Sequence, residues 1–247
     1  MDSDSPVSAG GSRMLRHEPR ERPFGLSPKA QPSVDLIDGH IERHVGPVDM
    51  VFHEGVSDMV HVDIHHVEPS PERPFHTLVT SGMSDLPMTP PEEASSCSHA
   101  ELVALLPPSW PLLREAFEDE DNYWPLRQLK FLARLPHEYS TWLWAEHTVP
   151  NGNPLECFAP STKLCCAYLL PAISLPDDFT VLDAPDGRRI AFFAFIPLYR
   201  EEMEYKLKAG SDALLDRFER AGVGDVIDPQ RPNVCRSGLK RLFGRGT

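Results

Sequence analysis

No run of about 18 apolar residues occurs anywhere in the 247-residue sequence, which excludes a helical membrane span. The first residues lack an apolar h-region, so no secretory signal is expected. None of the five cysteines, Cys97, Cys157, Cys165, Cys166 and Cys235, forms a Cys-x-x-Cys spacing. Their odd number and the adjacent Cys165-Cys166 pair argue against a disulfide framework and for a reducing, cytoplasmic setting. No phosphate-binding glycine loop and no dinucleotide fingerprint is present, and no cofactor is expected. Gly82-Met83-Ser84 lacks the second glycine of a nucleophile elbow, and Ser84 has no identifiable activating base. Basic charge is scarce: residues 36–235 hold 15 basic against 32 acidic side chains, a balance of −17. Such a body repels nucleic-acid phosphate and favours a basic protein partner. The 26 prolines argue against long uninterrupted helices.

What the chain does have is Met59–Val67, followed by Phe75–Leu86. In the first stretch Val60, Val62 and Ile64 alternate with His61, Asp63 and His65, the period-2 pattern of a strand with one buried and one polar face. The second stretch is rich in β-formers and ends at Gly82, where the chain can turn. The proline-rich Glu68–Pro74 between them predicts an antiparallel pair. Its polar face is the first candidate for function.

Taken in order, residues 1–35 read as a disordered extension rich in Ser, Gly, Pro and Arg, with the fold beginning near Val34. Leu36–Val45 suits a short helix with His40 and His44 on one solvated face, and Val48–His53 a first strand. Pro87–Glu93 is a loop; Ala100–Leu106 is a strand or a short helix. Pro125–Leu135 predicts a helix capped by Asp121 or Asn122 and stopped by Pro136. Asn151-Gly152 marks a turn and Leu164–Leu170 a buried strand. Thr180–Leu182 and Ile190–Ile196 flank Asp186-Gly187 as a hairpin. Arg200–Lys208 forms a helix with i,i+4 pairs Glu202/Lys206 and Glu204/Lys208, and Ser211 caps a last helix ended by Gly222. Residues 236–247 are a basic tail.

Seven of the eleven histidines lie between His40 and His76, which raises a metal reading of the His61/Asp63 face. Alternate strand residues stand about 6.6 Å apart, so neighbours could chelate one ion, while His61 and His65 at about 13 Å could not share it. His76 or Asp85 would have to complete the set. The commoner outcome for such histidines is hydrogen bonding within the fold, and no metal is assigned. Ser84 and Asp85 read as acceptors for loop amides. Trp142 and Trp144 read as core packing or as aromatic anchors.

Several segments together resemble the suppressor of fused domain family, in its compact bacterial type. They are His61–Asp63, Arg73–Asp85, Trp124–Leu126 leading into Phe131–Pro136, His147–Gly152, Pro197–Met203 and Asp228-Pro229. The match runs through residues 36–235 in order. The resemblance implies a single α/β (α+β) domain: a mixed, largely antiparallel sheet packed with helices. It implies no enzymatic activity and no required cofactor. The expected function is non-enzymatic protein binding, as an immunity-type inhibitor of a toxin domain or another basic protein. Partner-binding candidates are His61, Asp63, His65, Gly82, Ser84, Asp85, Trp142, Trp144 and His147. The alternatives are a metal-dependent hydrolase on the His61/Asp63 face and a peptide-gripping regulator that adds a strand to a sheet edge.

Overall fold

A computed structural model describes residues 6–17, 33–54 and 59–236. Eight strands form one sheet: β1 (Met50–Phe52), β2 (Asp63–Val67), β3 (His76–Ser81), β4 (Ala100–Leu106), β5 (Thr148–Pro150), β6 (Leu164–Pro171), β7 (Val181–Asp183) and β8 (Arg189–Tyr199). Their spatial order is β1-β2-β3-β4-β8-β6-β5, with β7 also on β8. Only the β4–β8 pairing is parallel. The described residues add four helices: α1 (Val34–His44), α2 (Glu120–Glu138), α3 (Arg200–Ala209) and α4 (Ser211–Ala221). The expected mixed, largely antiparallel sheet packed with helices is what forms.

Both faces of the sheet are covered. Leu78, Leu102, Leu164, Phe193 and Phe195 pack on one side with Trp124, Leu129 and Leu132 of α2. Their strand neighbours Val79, Val103, Cys166, Phe192 and Ile196 pack on the other with Ile37 and Ile41 of α1 and Leu214 and Phe218 of α4. A strand with two apolar faces gives a near-continuous hydrophobic run, which is why β6 reads as a buried strand. The two readings left open for Ala100–Leu106 resolve to strand.

Four expectations need correction. Ser211, expected to cap α4, is its first helical residue, after Gly210. Helix α2 is capped by Asp119, whose carboxylate accepts from Asp121 N at 2.9 Å, and it continues past Pro136 to Glu138. Each proline removes one helix hydrogen bond, and burial of Leu126, Leu129, Leu132 and Leu135 outweighs that loss. His40 is not solvated: it is 3% exposed, stacks against both Phe179 and Phe192, and bonds Phe179 O at 3.0 Å. Glu202 and Lys206 are not a surface pair, since both are buried and bound to other groups. Of the expected extension, residues 1–5 and 18–32 lie outside the described residues, as does the tail beyond Arg236. Residues 6–17 form a small turn against the body: Gly10 N donates to Leu207 O, Lys206 Nζ donates to Ser12 Oγ, and His17 stacks on Tyr139.

Candidate functional site

The β2–β3 pairing is antiparallel as expected, with Asp63 opposite Ser81 and His65 opposite Val79. The polar face of β2, however, does not meet solvent. Asp63 and His65 are each 1% exposed. Asp38 on α1 reaches His65, so the helix closes over this side of the strand. Asp63 Oδ2 accepts from His53 Nδ1 at 3.0 Å, and Oδ1 accepts from His61 Nε2 at 3.0 Å and from Glu54 N at 3.1 Å. Burial pushes the Asp63 carboxyl up, but these bonds and the two histidines outweigh it and hold the group below its usual range. His65 donates Nδ1–H to Asp38 Oδ1 and accepts from Ser81 Oγ at Nε2. Burial, opposed by Asp38, leaves it below the usual imidazole value, hence neutral.

Gly82 turns the chain at φ 107°, and a Cβ there would lie 1.8 Å from His61 O. Only glycine allows β3 to pass so close to the backbone before Asp63. The following single-turn helix Met83–Asp85 is held by a carboxylate that the sequence reading missed. Glu101, 0% exposed on β4, accepts from Ser84 N at 2.8 Å, Ser84 Oγ at 2.7 Å and Thr80 Oγ1 at 2.6 Å. Burial drives its carboxyl up to about 7. The lone acidic residue inside the apolar run Ala100–Leu106 was the available signal. The Ser84 side chain thus donates rather than accepts, and the nearby buried imidazole of His137 is engaged with Met83 O at 2.9 Å. Asp85 accepts from Ser33 N at 3.1 Å, as a loop acceptor should.

From Asp85 the chain crosses to the tryptophans. Thr89 N donates to Thr141 O, and Leu143 N donates to Met88 Sδ. Trp142 and Trp144 are half-buried; Trp142 meets the edge of His147 at 4.6 Å and Trp144 meets Phe193 at 4.9 Å. Burial, helped by Lys206, drives His147 down to about 4. Beside Glu54 lies an open cleft of about 380 Å³, lined by Tyr123, Arg127, Lys130, Phe131, Arg134 and Glu138, with Arg134 ion-paired to Glu54.

The structure therefore keeps His61, Asp85, Trp142, Trp144 and His147 at or near the surface and places Asp63, His65, Gly82 and Ser84 inside. His76 does not join His61 and Asp63: it stands at the far end of β3, about 16 Å of strand from Ser81. There it contacts His66 Nε2 and Pro108 O.

Against known families, residues 58–232 match the model for suppressor of fused protein. The chain belongs to the suppressor of fused family. Solved structures agree on the fold. A suppressor of fused homologue from Neisseria gonorrhoeae superposes with TM-score 0.59 at 15% identity, over 81% of this chain and 95% of the other. The Sufu-Fu complex gives 0.60 at 15% identity, over 83% and 93%. Drosophila Suppressor of Fused gives 0.56 at 14% identity, over 85% of this chain and 52% of that longer one. No curated protein sequence matches significantly. In this suppressor of fused domain, segments that carried the resemblance have structural roles. Gly82, Ser84 and the Asp63 cluster hold the β3 exit and its loop in place.

Proposed function

We propose that this suppressor of fused domain is of the compact bacterial type. In this reading it is a cytoplasmic, non-enzymatic protein-binding domain that neutralises a toxin or another basic protein by stoichiometric binding. One observation carries it. The polar side chains at the heart of the family motif are engaged in internal hydrogen bonds, so shape and charge are what this region offers a partner. Family membership supports it, and one similar structure is itself a complex, Sufu-Fu. The binding face comprises His61 and Asp85, whose charges interact, then the loop 86–98 with exposed Glu92 and Glu93, then Trp142, Trp144 and His147. The acidic residues steer a basic partner and the aromatic edges anchor it. The hydrolase alternative has no support: Asp63, its key carboxylate, is buried and held by two histidines and an amide.

Affinity capture with the full chain from native extract tests this. The expected result is one protein recovered at equal stoichiometry and released by the Glu92→Lys/Glu93→Lys variant. Turnover of a small substrate that disappears in Asp63→Ala would sink the proposal.

A further inference from the structure

Strand β1 ends the sheet, and its register sets Met50 opposite His66 of β2. Asp49, just before β1, donates its N–H to His66 O at 2.9 Å, which brings its side chain beside the imidazole. Glu68 lies two residues beyond His66 and so projects to the same face. One ligand atom from each of Asp49, His66 and Glu68 falls within 4.8 Å of the others.

The imidazole supplies the second observation. His66 is 3% exposed, and its Nδ1 has no hydrogen-bond partner. A chain of contacts fixes which nitrogen carries the proton. Pro108 O can only accept, so His76 Nε2, 3.3 Å away, is the donor. Neutral His76 then presents a lone pair at Nδ1, which accepts from His66 Nε2–H at 2.9 Å. His66 Nδ1 is left as a lone pair. A buried lone pair among carboxylate oxygens is a cost with no donor present, and a cation removes it.

We propose that Asp49, His66 and Glu68 form a divalent transition-metal site of the zinc class that pins edge strand β1 to the end of β2. One imidazole nitrogen and two carboxylates suit zinc better than calcium, which takes six or more oxygens. The remaining position is left to water. His76 and Pro108 form the outer support that orients a metal-bound histidine. The site is separate from the His61/Asp63 cluster and does not depend on the protein-binding reading.

The test is zinc titration by calorimetry on tag-free, chelator-treated full chain, with cobalt(II) visible spectra as the coordination signature. One zinc per chain is expected, with visible cobalt bands that zinc abolishes and calcium leaves intact. Asp49→Asn and Glu68→Gln alter exposed side chains, and each should weaken binding at least tenfold. His76→Phe should weaken it about tenfold with all three ligands present. Zinc should raise the thermal midpoint of the parent chain and not that of Asp49→Asn/Glu68→Gln. Absence of stoichiometric zinc, or equal affinity in the double variant, overturns the proposal.

Discussion

Glu101 accepts three hydrogen bonds in a site closed to water, and its carboxyl sits near 7 against an ordinary 4.5. The folded chain therefore holds this proton more tightly than the unfolded one. Its contribution to stability is fully present below about pH 4.5 and is lost as pH rises through 7. Glu101→Gln can keep the Ser84 contacts through its carbonyl oxygen. Its urea midpoint should differ from the parent's by an amount that changes between pH 5 and pH 8, with the parent losing ground at the higher pH. Glu101→Ala leaves three donors unmatched and should cost about 3 kcal/mol in urea unfolding. A second residue-scale prediction concerns Arg231, which binds Glu202 through two bonds of 2.7 and 2.6 Å and also donates to Pro197 O. Glu202 accepts further from Tyr199 N and Val234 N. Arg231→Ala strands a buried carboxylate and should cost roughly 3 to 5 kcal/mol, read as a lowered denaturant midpoint.

At the scale of elements, the close passage of Gly82 against the backbone of His61 couples the exit of β3 to the entry of β2. Gly82→Ala must displace one of the two. A loss of roughly 3 kcal/mol or more is expected, with hydrogen-exchange protection falling first in residues 82–98. If the variant unfolds at the parental midpoint, the crossing is not as tight as described. Helix α1 was legible in the sequence, yet its service to β2 was not. Asp38 meets His65 across 27 positions of sequence, and no local pattern reports such a contact. The β7–β8 hairpin and the glycine stops of α3 and α4 were legible because turn dipeptides and C-caps act within a few residues. The cap of α2 was misplaced because Asp119, Asp121 and Asn122 could each serve, and only the backbone selects Asp119.

For the whole molecule, the −17 balance of residues 36–235 predicts association controlled by long-range attraction. Glu92→Lys/Glu93→Lys should slow association with the basic partner about tenfold at low ionic strength, with the difference shrinking at high salt. Stopped-flow or biolayer rates across a salt series measure this. A salt-independent rate would remove the acidic face from the mechanism. The sheet makes the same surface stable: with cores on both sides, the loop 86–98 is tied at Thr141 and Leu143 rather than left to swing.

Periodicity, turn chemistry and charge, read from the chain alone, gave a paired β2 and β3, a buried strand at Leu164–Leu170 and an acidic body, while the α/β class came from the family resemblance. These are properties of near neighbours and of totals. Which polar residues are exposed was decided only by tertiary packing. His61, Asp63 and His65 alternate as an outward face should, but Asp38 of α1 meets His65, His53 and Glu54 close on Asp63, and Glu101 is buried because β3 and the Met83–Asp85 turn close over it. Burial depends on what arrives from distant sequence, and that arrival turned an apparent functional surface into the support of one.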